Sequence, residues 1–159
     1  MNDRAKLANK SVPFPAASIN REYSIYRTYS EIPASVFSNQ NLTVEKFVPE
    51  VEDNCYAIRH WVFCGEKEHC SRYVSENKVI KGNNVVKKIR SEIPDALRKI
   101  REELGFDFGK FDFVIHDGKP ILFDSNKTPG LPPYNGDETK RAINNLADGL
   151  QALLSEKNS

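Results

Sequence analysis

Three oxygen-bearing side chains near the end of the chain, Asp112, Asp124 and Asn126, are spaced for joint chemistry. They belong to the stretch from Gly109 to Gly130, GKFDFVIHDGKPILFDSNKTPG, which reads as two short strands joined by a tight turn. Asp112 interrupts the apolar first strand, while Asp124 and Asn126, two apart, share one face of the second. Two carboxylates and an amide oxygen on a partly apolar surface need a compensating charge, because unpaired carboxylates repel and one pKa rises. A hard divalent cation supplies it, and Mg²⁺ held by one or two carboxylates usually shares its shell with substrate phosphates. The alternative is a surface hairpin whose acids are merely solvated.

Turn length decides whether the three groups meet. A two-residue Asp117-Gly118 turn pairs Asp112 with Phe123 and sends Asp124 to the opposite face. A three-residue loop, with Gly118 left-handed and a bulge, puts Asp112 and Asp124 on one face. The apolar pattern favours the odd loop, which aligns Phe111, Phe113 and Ile115 with Ile121 and Phe123. Asp112, Val114, Leu122, Asp124 and Asn126 then share the other face.

The elements that must hold this hairpin follow from the rest of the chain. Its 159 residues suffice for one domain with a real core. A formal charge of +1 argues against nucleic acid or an anionic membrane as the main partner. No apolar run approaches membrane-spanning length, and the N-terminus carries no hydrophobic signal region. Three cysteines, Cys55, Cys64 and Cys70, without Cys-x-x-Cys spacing suit a reducing cytosol, so a cytoplasmic location is expected. Zinc on Cys55, His60, Cys64, His69 and Cys70 fits no finger or ribbon spacing; buried, hydrophobe-like cysteines fit better.

Residues 1–21 are polar, with Pro13 and Pro15, and are expected to form an irregular lead-in to a domain over 22–156. Strands are predicted at Glu22 to Ser30 and at Leu42 to Val48, the second stopped by Pro49, with one or two helical turns between them. Tyr56 to Cys64 and His69 to Ser75 read as antiparallel neighbours across Gly65-Glu66-Lys67. They carry Arg59 and Arg72. Either arginine can reach a phosphate or a substrate carboxylate through its forked donors; the alternative is a strand arginine paired to a surface acid. Asn77 to Arg90 reads as a solvated basic loop, the alternative being that its basic run contacts phosphate. A helix capped by Ser91 should run to Leu104 with Ile93, Leu97, Ile100 and Leu104 as its stripe, ended by Gly105. A loop over 131–136 should precede a last helix from Asp137 to Leu154 that buries Ile143, Leu146, Leu150 and Leu153. The expected fold is α+β, an antiparallel sheet covered by at least two helices.

The stretch FDFVIHDGKPILFDSNKTPG resembles the C-terminal core of the ATP-grasp superfamily, whose members carry an acid on one strand and acid-x-Asn followed by Pro-Gly on the next. Glu45-Lys46-Phe47-Val48 resembles that superfamily's strand-to-loop segment at the adenine edge. The likeness runs from about Leu42 to Pro133. It implies that Asp112, Asp124 and Asn126 ligate Mg²⁺, or Mn²⁺, on the phosphates of ATP, that Glu45, Lys46, Phe47 and Val48 line the adenine, and that Glu52 or Asp53 takes the ribose. It places Thr128 and Gly130 near the acyl substrate, with Arg72 and Arg59 steadying anions. Asp124 departs from the family's more usual Glu by one methylene.

The resemblance implies ATP-dependent ligation of a carboxylate to an amine or similar nucleophile through an acyl-phosphate. It also implies an N-terminal substrate domain and a lid with a glycine-rich loop ahead of the adenine strand. Fewer than fifty residues precede Val48 and no glycine precedes Gly65. The expectation is therefore a partial ligase with weak Mg-ATP binding and little turnover alone, completed by a partner chain. The rival expectation is a non-catalytic interaction or nucleotide-binding module of the same fold.

Overall fold

The computed structural model describes residues 3–7, 23–130 and 136–156, which divide between two units, Met1–Val48 and Pro49–Ser159. That boundary falls inside the single 22–156 domain expected from the sequence, at the proline that follows the Leu42 strand. In the first unit, β1 (Asp3–Leu7), β2 (Tyr23–Tyr26) and β3 (Leu42–Lys46) form an antiparallel sheet in the order β2-β1-β3. β1 lies within the expected irregular lead-in and pairs on both sides, from Asp3 opposite Tyr26 and Lys46 onward. A main-chain ladder holds it, which no side-chain alternation announces. The rest of the lead-in lies outside the described residues. Helix α1 (Ala34–Ser38) follows a short 3-10 turn at Tyr29–Glu31, and Ile32 and Val36 bury against Tyr26, Leu42 and Val44.

The second unit is an antiparallel sheet of β4 (Glu50–Glu52), β5 (Cys55–Cys64), β6 (Lys67–Ser75), β7 (Lys87–Arg90), β8 (Phe108–His116) and β9 (Lys119–Asn126). Its order is β7-β6-β5-β8-β9. β4 pairs with β5 over Cys55–Ala57, and β8 takes the same edge from Arg59 to Cys64. With α2 (Asp95–Glu103) and α3 (Asp137–Glu156), this is the expected α+β architecture of an antiparallel sheet packed with helices. β7 occupies the end of the segment expected to be a solvated loop.

Alternation along β5 and β8 sends Trp61, Phe63, Phe111 and Phe113 to one face, where Cys70 and Leu97 of α2 complete a fully buried core. Phe111 meets Trp61 and Phe63 edge-on, with ring centroids 5.5 and 5.3 Å apart. Truncating any of these rings to alanine costs on the order of 3–5 kcal/mol.

α2 starts at Asp95 behind Pro94, not at Ser91; a proline at this boundary suits its fixed φ and missing N–H. The Ser91 hydroxyl instead accepts from Arg59 Nη1 at 2.7 Å. Ile93, Leu97 and Ile100 pack as the stripe predicts, whereas Leu104 is exposed and Phe106 packs on the core. Gly105 ends the helix at φ +61, with the Phe106 N–H donating to the Arg101 carbonyl and the Gly105 N–H to that of Glu102.

α3 differs from expectation at Leu150, which is exposed. Gly149 is the buried one among its described residues, lying so close to the β5–β6 turn that a Cβ there would collide with the Cys64 carbonyl. The loop expected over 131–136 lies outside the described residues except for Gly136. Cys64 and Cys70 are buried and unpaired, and burial pushes the Cys70 thiol up to about 11. No helix among the described residues is long and apolar enough to cross a membrane.

Candidate functional site

The β8–β9 hairpin turns through two residues, Asp117 and Gly118, both left-handed at φ +50 and +74, with His116 opposite Lys119. This corrects the expected three-residue loop: the type I′ twist suits the strands, and Asp117-Gly118 meets its need for two positive φ values. The register shifts between Asp112 and Phe113, so that Phe113 faces Leu122 while Asp112 faces Asp124. Phe123 is the extra residue, a β-bulge, and is exposed. The face assignment changes with it. Leu122 packs on the core with Ile115, and Ile121 pairs with Val114 on the other face.

Asp112 and Asp124 therefore stand side by side on the sheet face opposite the aromatic core, with Lys110 and Asn126 as the next pair along the same two strands. On the other side of Asp112 lies His60 of β5, directly across the ladder. Lys110 Nζ donates to Asp112 Oδ2 at 2.8 Å. Asp112 Oδ1 is buried and has no hydrogen-bond partner among the described residues; His60 Nε2 lies 3.7 Å away, too far to serve. Burial pushes the His60 pKa down; Asp112 opposes that shift, Lys110 adds to it, and the net result stays below the ordinary imidazole value. Asn126 Oδ1 accepts from the Thr128 N–H at 2.8 Å and from its hydroxyl at 3.3 Å. The Asp124 side chain is exposed, with no hydrogen bond or ion pair to a described residue.

Among the described residues, no three His, Cys, Asp or Glu side chains gather around a common point. The donor set of an orphaned carboxylate oxygen, an exposed carboxylate and an amide oxygen fits Mg²⁺ that brings phosphate oxygens of its own. Asn126 could join that set only by giving up the weaker Thr128 hydroxyl contact.

Lys110 and His60 are the site members that the sequence reasoning left out. The signal was present for Lys110, since a lysine two residues before Asp112 in a strand must share its face. His60 is visible only through the β5–β8 register.

Arg59 and Arg72 are not brought to this site. They pair with each other across β5 and β6 on the core face, and both are held by the buried carboxylate of Glu50. Arg59 Nε and Nη2 donate to it at 3.0 and 2.8 Å, Arg72 Nε at 2.7 Å, and the Ile115 N–H at 2.7 Å. Burial alone would raise the Glu50 pKa; the bonds from Arg59, Ile115 and Arg72 outweigh it and hold the carboxyl below its usual range. Of the two acids suggested for a ribose, Glu52 binds Arg72 Nη2 at 2.6 Å and Asp53 sits in the tight β4–β5 turn at φ +49. Glu45 and Lys46 end the edge strand β3 of the first unit, and Phe47 and Val48 follow it. Gly130 is exposed beside residues that are not described. Comparison of the chain with protein-family models, with curated proteins and with solved structures finds no match.

Proposed function

We propose that the Pro49–Ser159 unit binds Mg-ATP on the face formed by β8 and β9, as the phosphate-handling part of an ATP-grasp-type ligation of a carboxylate to an amine. The single observation that carries this reading is the opposition of Asp112 and Asp124, with the buried Oδ1 of Asp112 left unpartnered. A buried carboxylate oxygen without a donor costs about 1–3 kcal/mol or more, and a cation removes that cost.

In the reaction, the substrate carboxylate takes the γ-phosphoryl group, ADP leaves, and the amine then displaces phosphate from the acyl carbon. When bound, Mg²⁺ supplies charge neutralisation across the phosphates. Asp112, Asp124 and Asn126 would hold it. Lys110 is the neighbouring cation whose ammonium can turn from Asp112 to a phosphate oxygen once the carboxylate is otherwise engaged. His60, kept neutral by burial, adds no positive charge at neutral pH.

A second reading, a nucleotide-binding module without turnover, is favoured by one observation: Glu50 occupies both Arg59 and Arg72 on the opposite face. Phosphoryl transfer leans on charge neutralisation, and those two side chains cannot contribute it.

Calorimetric titration of Mg-ATP into the wild type and Asp124→Ala separates these readings from a plain α+β domain. Binding should weaken in the variant by at least the roughly tenfold typical of disturbed metal sites. Equal heats would falsify the cation site. Binding without ADP release, in the presence of mixed carboxylates and amines, selects the module.

A further inference from the structure

On the same sheet face as Asp112, a cleft of about 420 Å³ opens between the strands and the β6–β7 connection. It lies within the roughly 300–1,000 Å³ range of small-molecule sites. Ile58, Tyr73 and Lys88 form one cross-strand row of its floor, and His60 the next position along β5. The His60 and Tyr73 rings stack obliquely with centroids 4.7 Å apart. Ile80 and Val85, both half-buried, form the opposite wall with Lys81 and Gly82.

That wall is built in advance. Ser75, fully buried, donates to the Asn84 carbonyl at 2.7 Å, and the Asn84 side chain accepts from the Lys81 N–H at 2.9 Å and donates to the Val79 carbonyl at 3.0 Å. The Val86 N–H closes the segment onto the Val74 carbonyl at 2.9 Å. A solvated connection has no need of such a lock, nor of two inward-facing aliphatic residues. The lining contains two lysines and no acid. An anionic head and an apolar, flat body match it.

We propose that this cleft binds an aromatic carboxylic acid, its ring against Ile58, Tyr73, Ile80 and Val85 and its carboxylate at Lys81. The binding stands independently of nucleotide; that the acid is the acyl substrate rests on the Mg-ATP reading above, since only His60 separates the cleft from Asp112.

The probe is 3-phenylpropionate, with its neutral amide as control, titrated into the full chain without Mg²⁺ or ATP and followed by amide NMR shifts. The acid should saturate, moving the signals of Gly82 and Val85, and the amide should bind at least about threefold more weakly. Lys81→Gln should erase that difference, and Ser75→Ala should weaken both probes by loosening the wall. Asp124→Ala should bind the acid as wild type does, which keeps failure of the cation site distinct from failure of the cleft. Equal binding of acid and amide to the wild type, or displacement of the acid by metal-free adenosine, overturns the proposal.

Discussion

Asp112 and Asp124 face each other across β8 and β9 although the turn between them has an even number of residues. An unbroken ladder from that turn would pair Asp112 with Phe123. The bulge at Phe123 restores the alignment and leaves that phenylalanine exposed.

Deleting Phe123 should therefore leave the two aspartates paired, because the next residue along β9 then becomes Asp124. Cross-strand amide contacts from Asp112 to Asp124 should persist, and Mg-ATP affinity should stay within about threefold of wild type, the local twist being the main change. Deleting Leu122 as well should send Asp124 to the core face and abolish binding. Survival of binding in the double deletion would count against the pairing as the ligand-holding feature.

Lys110 should act in opposite directions on two ligands. Lys110→Gln frees Asp112 Oδ2 from an ammonium 2.8 Å away, so Mn²⁺ alone should bind several-fold more tightly. Mg-ATP should bind several-fold more weakly, because a cation close to the phosphates is lost. Electron paramagnetic resonance of Mn²⁺ and calorimetry with Mg-ATP read the two arms; a shift of both in one direction would remove Lys110 from the phosphate role.

Glu50→Gln should destabilise the second unit by about 3 kcal/mol, since it takes the shared carboxylate from the half-buried Arg59 and Arg72 and leaves Arg72 only the exposed Glu52 as counter-charge. The Glu50 carboxyl is held below its usual pKa when folded, so its contribution is present above about pH 4.5. It is lost as the pH falls through the lower folded value. Urea unfolding of wild type and variant should thus diverge at neutral pH and converge in acid; a constant gap at every pH would assign the effect to packing alone.

Gly149→Ala tests how α3 docks. With the Cys64 carbonyl in the way of any Cβ, the substitution should cost about 1–3 kcal/mol despite a gain in helix propensity of about 1 kcal/mol. Leu150→Ala, one residue on and exposed, should change stability by less than about 0.5 kcal/mol. Thermal unfolding of the two variants ranks them; the reverse order would place the packing stripe of α3 where its periodicity alone suggests.

Much was legible in the chain itself. The period-two runs of β5, β6 and β8 were readable because half-buried strands alternate, and the acids of the hairpin stood out as polar breaks in apolar strands. Pro49 and Gly105 marked real boundaries, whereas the helix start read at Ser91 falls behind Pro94. The strand at Asp3–Leu7 carried no such signal, because its pairing is by main chain.

What the folded state alone decided is which charges cancel. Residue types announced Arg59 and Arg72 as anion binders, but a glutamate nine and twenty-two positions upstream meets both on the core face. Types likewise announced Asp112 and Asp124 as a pair, while the bulge that aligns them and the Lys110 and His60 that flank them depend on register between strands. Local sequence determines how a residue alternates along its own strand; the partner it finds depends on strands brought together from far along the chain.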